Sequence, residues 1–370
     1  MQHPSSASIQ IPTRGAILTS VLLFLALTAS ACRERSPVII TQFTAFDTQV
    51  DVSLVGVSKD QAKQASSLIA RDFAYLENEW GASETGRMVR VNRLLQTQIP
   101  FVPPPSLLEL IRRSQDLETR SDGLFNPAIG KLIRLWGFES VRPDSHPPPS
   151  DTEIARLVEA NPRMSEIEID GLEITGRNPE LDLDFTAFAK GTAIDMAIER
   201  LEDLGVRNAL IQAGGALRAI GDRSGQPWRI PVRRASGSGV FAILAIQGDE
   251  SVVTVAEYDR NFLYEGTLYH AIVDPRTGRP ADRMRTVTVV HPSTATATAA
   301  ATALFIAGPT QWCGIAERMG VDQALLIDRE GRVHLTPALD ARIQWVEDRD
   351  NIDLVDPKQM TTADPGEAGI

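Results

Sequence analysis

Residues 181–221 read LDLDFTAFAKGTAIDMAIERLEDLGVRNALIQAGGALRAIG, and this stretch sets the fold class of the chain. Leu181–Asp184 alternates like a short strand, and Ala189-Lys190-Gly191 reads as a turn because glycine weakens a helix. Ile194, Ala197, Ile198, Leu201 and Leu204 then recur at helical spacing, and Gly205 stands where a helix stop belongs. Asn208–Gln212 is a short apolar run that ends at Gly214-Gly215. Paired glycines after a buried strand mark a close approach of backbone to packed chain or to a ligand. Strand, helix, strand and glycine turn within 41 residues predict a mixed α+β domain.

The rest of the 370 residues supports a large core, with 43% hydrophobic and 23% charged residues. Ala16–Ala31 is an uninterrupted apolar and small-residue run preceded by a single charge, Arg14. It is shorter than the roughly 20 residues a membrane helix needs and fits a secretory leader. The ending Ala29-Ser30-Ala31-Cys32 resembles a bacterial lipoprotein cleavage site, though alanine occupies the position where leucine is usual. A plain cleaved signal or an uncleaved anchor is the alternative. Residues 1–31 are therefore expected to be a leader, with a tether over 32–40, a folded domain over 41–346 and a loose acidic tail over 347–370. Localisation follows as exported, anchored to the membrane through a lipidated Cys32 and facing the periplasm; two acyl chains suffice for stable anchoring. The net charge is −11, and no basic face or aromatic-basic interleaving points to nucleic acid. Only Cys32 and Cys313 exist, so there is no disulfide framework; Cys313 reads as a small buried hydrophobe.

Along the domain, Val50, Val52 and Leu54 alternate as a half-buried strand, and Ser58 with Gln61 spells a capping box. The helix that follows turns Ala62, Ala65, Ile69, Phe73 and Leu76 inward. Residues 82–92 read as a loop and 107–117 as a helix. A further helix starts at Asp151, and a hairpin turns at Asp170-Gly171. Trp228–Val232, Val240–Ile246, Val252–Val255, Tyr269–Val273 and Thr286–Val290 are expected strands. Thr296–Ala307 is a helix rich in alanine and threonine, and the hairpin around Arg329–Gly331 closes the domain. HExxH, GxxxxGK[ST] and metal-type Cys/His spacing are all absent.

Five blocks in this order, FNPAIGKLIRLWGF, DFTAFAKGTAID, GGALRAIG, VDPRTGRP and PSTATATAAATALFIAG, resemble the ApbE-like FAD:protein FMN transferases over roughly Phe43 to Leu335. The resemblance implies FAD as substrate and Mg²⁺ as the metal, with transfer of FMN to a threonine hydroxyl of an acceptor protein and release of AMP. Carried over by position, it implies cofactor contacts at Asp184, Lys190, Gly191, Gly214, Gly215, Asp274, Thr277 and Gly278. It implies metal contacts at the Ala189 carbonyl, Thr298 and Thr302, and catalytic roles for His270 and Asp274.

The polar positions of the resemblance are also where this chain departs from it. Thr298 stands at a metal carboxylate, Asn126 and Ala216 stand at acids, and Ala271 stands at a histidine, with His270 one residue before. Moving by one residue along a strand turns a side chain to the opposite face. Threonine at 298 gives a hard cation a neutral oxygen and no counter-charge. Two functions follow as expectations: an FMN transferase in which Asp184, Asp274 or Asp282 compensates, and a family member that binds flavin nucleotide or a partner protein without transfer.

Overall fold

In chain order the strands are β1 (Val38–Ala45), β2 (Thr48–Val55), β3 (Ile167–Asp170), β4 (Glu173–Gly176), β5 (Asn208–Ala213) and β6 (Ala216–Ile220). They continue with β7 (Trp228–Arg233), β8 (Val240–Ile246), β9 (Glu250–Ala256), β10 (Asn261–Tyr264), β11 (Thr267–His270) and β12 (Val273–Asp274). The last six are β13 (Arg279–Pro280), β14 (Met284–His291), β15 (Gln323–Asp328), β16 (Val333–Leu335), β17 (Ile343–Trp345) and β18 (Ile352–Leu354). The structure is a computed structural model that describes residues 36–81, 86–139, 145–235, 238–246, 248–346 and 352–360. The leader, Cys32 and most of the expected tether and tail lie outside the described residues. No helix among the described residues is long and apolar enough to cross a membrane.

Nine strands form the central sheet, in the order β1-β2-β5-β6-β9-β14-β15-β16-β18. All neighbours are antiparallel except β16 and β18. Alternation sorts the side chains of this sheet to two faces. Val50, Val52, Leu54, Ala209, Ile211, Val253, Val287, Val289 and Leu326 join the core under the helices. Leu217, Val252, Val290 and Leu325 face the second sheet, β17-β8-β7, with Trp228, Ile230 and Leu244. The α+β class read from the sequence is the observed one.

The helical layer contains Lys59–Trp80, Arg87–Gln96, Pro105–Arg120, Thr186–Asp203 and Thr294–Met319. Lys59–Trp80 opens on the capping box of Ser58 and Gln61. Thr294–Met319 is two helical pieces joined at Gly308, whose φ of 71° only glycine adopts freely, with Pro309 beginning the second piece.

Four expectations need correction. Residues 87–96 are helical rather than loop, because Met88, Val91 and Leu95 recur at helical spacing and are buried. Leu181–Asp184 joins no sheet; it is held extended by loop bonds, Gly130 N to Asp182 O at 2.7 Å, Asp184 N to Pro127 O at 2.9 Å and Leu183 N to Asn92 Oδ1 at 2.8 Å. The tether is shorter than expected, since β1 starts at Val38 and pairs with Val55. Within the expected loose tail, β18 pairs with the otherwise open edge of β16, and Arg332 binds Asp353 at 3.2 Å.

Candidate functional site

Ala189-Lys190-Gly191 lies inside the helix Thr186–Asp203, not at a turn before it. Packing overrides glycine's poor helix propensity here. A Cβ on Gly191 would come within 2.7 Å of Thr298 Oγ1 and 3.0 Å of Thr294 O, so the glycine is what lets the two helices touch. Asp195, on the same helix, fixes the crossing. Its carboxylate accepts from Thr294 N (2.8 Å), Ala295 N (3.1 Å) and Ser293 Oγ (2.9 Å), and it pairs with Arg218 Nη1 (3.0 Å). A carboxylate at a helix N-terminus satisfies orphan donors and complements the dipole. The helix thus clamped carries Thr298 and Thr302.

These elements wall a cleft of about 770 Å³, within the size range of small-molecule sites. One wall is the outer face of β1, β2, β5, β6 and β9; β7 supplies part of the opposite wall. Asp184, Lys190, Gly214, Gly215, Thr298 and Thr302 all reach it. Gly214 and Gly215 form the two-residue turn between β5 and β6. Gly214 has a φ of 60°, and a Cβ on Gly215 would press into the Thr254 carbonyl. Close approach at this turn is therefore to packed chain, while its outer side opens on the cleft.

Other expected site residues lie elsewhere. Ala189 is buried, Gly191 sits in the helix contact, and neither lines the cleft. Asp274 forks onto Arg276 (Oδ2 to Nη2 2.8 Å, Oδ1 to Nε 3.0 Å) and accepts from the Arg276 N–H at 2.9 Å, so it builds its own turn. Thr277 Oγ1 accepts from Arg279 N at 3.3 Å. Gly278 O accepts from Trp136 Nε1 at 2.7 Å, and a Cβ there would meet Ile154 and Val158. None of these three reaches the cleft. Ala271 lines the cleft, whereas His270 is 3% exposed and meets Phe305 edge-on, with 5.5 Å between ring centroids. The one-residue offset places the imidazole behind the wall. Burial pushes the His270 pKa down to about 4, assisted by Arg329 and opposed by a bond to the Ala281 backbone.

The cleft also holds charges that motif reading missed: Asp47, Arg223, Arg229, Arg233, Asp259 and Arg260. Arg229 and Arg233 alternate with buried Trp228, Ile230 and Val232 along β7, a pattern visible in the sequence. That they line the same cleft as Lys190 is visible only in the fold. Burial, then the neighbouring Arg260 charge, brings the Lys190 pKa down to about 8. Asp259 lines the rim of the cleft, exposed to solvent on its outer side, and desolvation by the surrounding chain raises its pKa to about 6, with Lys190 pulling the other way.

The donor set that the resemblance implies, the Ala189 carbonyl with Thr298 and Thr302, offers a divalent cation no carboxylate. Thr298 Oγ1 donates to Thr294 O (2.8 Å) and Thr302 Oγ1 to Thr298 O (3.0 Å), the ordinary habit of threonine within a helix. Both hydroxyls are neutral, whereas magnesium asks for one or two carboxylates. No cluster of three or more His, Cys, Asp or Glu side chains able to hold a metal exists among the described residues.

The family model of the ApbE family matches residues 46–326. An FAD:protein FMN transferase of Rhodobacter capsulatus is 34% identical over 84% of this chain; the chain spans 60% of that relative's length. One from Treponema pallidum is 30% identical, covering 79% of this chain and 85% of the relative. The apo flavinyl transferase ApbE of Pseudomonas stutzeri superposes with a TM-score of 0.72 at 27% identity, covering 84% of this chain and 98% of its own. The ApbE protein of Thermotoga maritima, 23% identical, shares the fold with a TM-score of 0.75 over 83% of this chain and 99% of its own. The family match runs from the β1–β2 turn to β15 and so takes in both clamped helices and the glycine turn of the cleft: this chain belongs to the ApbE family.

Proposed function

We propose that this chain is an FAD:protein FMN transferase that works in the cleft between the central sheet and β7. The observation that carries this is the coincidence of the matched family span with a cleft of nucleotide size lined by Asp184, Lys190, Gly214, Gly215, Thr298 and Thr302. Transfer forms a phosphoester between an acceptor threonine oxygen and the FMN half, and breaks the pyrophosphate bridge, so that AMP leaves. Such a reaction asks the protein for positioning, charge neutralisation and a proton acceptor. We assign the proton to Asp259. Its pKa of about 6 leaves it ionised at neutral pH, and it lines the same cleft as Ala271, the position where the family carries histidine.

The test is incubation of the full-length protein with FAD and a candidate acceptor domain, read by covalent flavin fluorescence in a denaturing gel and by AMP release. Flavin on the acceptor with stoichiometric AMP supports transfer. Absence of both, with and without divalent metal, overturns it. A role limited to flavin-nucleotide or partner binding draws on Thr298 and Ala271; FAD binding without any transfer is its signature.

The apolar run before Cys32 supports an exported, membrane-anchored lipoprotein that faces the periplasm and meets its acceptor there. Cys32→Ser should leave uncleaved precursor or release the protein from membranes. An unchanged mature mass and membrane partition in that variant would rule lipidation out.

A further inference from the structure

Five cations line the cleft: Lys190, Arg223, Arg229, Arg233 and Arg260. None forms an ion pair with a carboxylate among the described residues. Other cations of the fold are paired where a carboxylate is at hand. In the smaller cavity of about 400 Å³ that shares Asp184, Arg134 meets Asp182 at 2.5 Å, and Lys131 on its wall meets Glu180 at 2.9 Å. The hydrogen bonds that two of the cleft arginines make go to neutral groups, Arg229 Nη2 to Gln344 Oε1 at 2.6 Å and Arg260 Nη1 to Phe138 O at 2.9 Å, so the cleft acids offset the cations only across the cleft and not in direct pairs. Lys190 and Arg260 are half-buried like charges close enough to depress the lysine's proton affinity. The acids of the cleft, Asp47, Asp184 and Asp259, number three against five. A chain of net charge −11 has thus gathered a cationic surplus in one concave place, next to threonines that cannot supply a metal's counter-charge.

We infer that this cleft binds the pyrophosphate of its nucleotide directly, through Lys190, Arg260 and Arg233, without a divalent metal. The inference rests on the cleft being the FAD site. Arginine suits the task because its planar donors match phosphate oxygens in pairs, and lysine adds a point charge. Full-length protein titrated with FAD, followed by flavin fluorescence in EDTA and in millimolar Mg²⁺, tests it; ADP, which keeps the pyrophosphate and lacks the flavin, serves as competitor. Affinity should agree within about twofold between the two buffers and should weaken as KCl rises. Lys190→Met and Arg260→Met should each weaken FAD binding by about tenfold or more, the size of one charge-assisted hydrogen bond. Arg233→Met, at the exposed end of β7, carries the same direction of effect should either of those variants fail to fold. Affinity at least tenfold weaker in EDTA than in Mg²⁺ overturns the metal-free site and leaves the FAD site standing. Cation variants that bind like wild type overturn it too. No FAD binding in either buffer overturns the FAD site and the inference together.

Discussion

Asp195 is the residue whose loss should cost the fold most for one side chain. It is 5% exposed and receives two main-chain N–H groups, the Ser293 hydroxyl and Arg218, all within 3.1 Å. Arg113 stands further out at 3.6 Å. Asp195→Ala strips the start of the Thr294–Met319 helix of its anionic cap and leaves buried donors unpaired. Breaking a buried, hydrogen-bonded pair costs about 3–5 kcal/mol. The lower part of that range applies, because Arg218 keeps Asp249 at 2.8 Å. Asp195→Asn retains one acceptor oxygen but turns an NH₂ towards a donor, for a cost of about 1–3 kcal/mol. Urea unfolding of wild type and both variants, followed by far-ultraviolet circular dichroism, should rank them wild type, Asn, Ala. An alanine variant within about 1 kcal/mol of wild type would refute the clamp, since removing one partner of a buried, hydrogen-bonded ion pair costs about 3–5 kcal/mol.

Four further outcomes are expected. Gly191→Ala should destabilise the protein by about 1–3 kcal/mol, because its Cβ must push Thr298 and the Thr294 carbonyl away; an unchanged urea midpoint would count against the close helix contact. Asp259→Asn should lower transfer by about 10²–10⁴-fold, and wild-type kcat should rise through about pH 6 as Asp259 ionises; wild-type-like transfer by the variant would remove it from proton transfer. His270 is held neutral, with its pKa at about 4 against 6.5 unfolded, so its contribution is complete above pH 6.5 and fades as pH falls towards 4. Between pH 7.5 and 5 that amounts to about 2 kcal/mol, and His270→Phe should lose this part of the acid sensitivity while wild type keeps it; parallel stability curves would refute the assignment. Thr298→Asp with Ala271→His should make FAD affinity Mg²⁺-dependent, at least tenfold tighter with the metal by flavin fluorescence; indifference to Mg²⁺ would mean that Thr298 does not face the bound pyrophosphate.

Local signals were legible where local physics decides. The alternation of Val50, Val52 and Leu54, the capping box at Ser58 and the helix start at Asp151 form as read, and the hairpin expected around Asp170-Gly171 forms with Gly171-Leu172 as its turn. Misreadings came where a distant partner overrides a local preference. Gly191 looked like a breaker because its reason for being glycine, Thr298, lies on another helix. Residues 352–354 looked loose because the strand edge they pair with is distant in sequence. Asp274 looked like a cleft residue, yet Arg276 two residues on captures its carboxylate. Asp259 and Arg260 carry no motif; only the pairing of β10 with β11 brings the Arg260 carbonyl against Ala271 and both residues to the cleft.

The cationic surplus also has a thermodynamic consequence. Lys190 and Arg260 repel each other when no anion lies between them, and each gives up hydration to sit in the cleft wall. Like charges held together without partners destabilise the state that holds them. The fold tolerates this because the Asp195 clamp and the alanine-rich helix contact fix the walls independently of what the cleft contains. An anion that enters relieves the repulsion, so ligand binding and stability are linked: a nucleotide at one hundred times its dissociation constant adds about 2.7 kcal/mol. That stabilisation grows with the number of phosphates able to reach both cations. FAD and ADP should therefore raise the unfolding midpoint in EDTA, and riboflavin, which has no phosphate, should not. Equal stabilisation by riboflavin would place the binding energy on the apolar wall around Trp228 and Ile230 instead of on the charges.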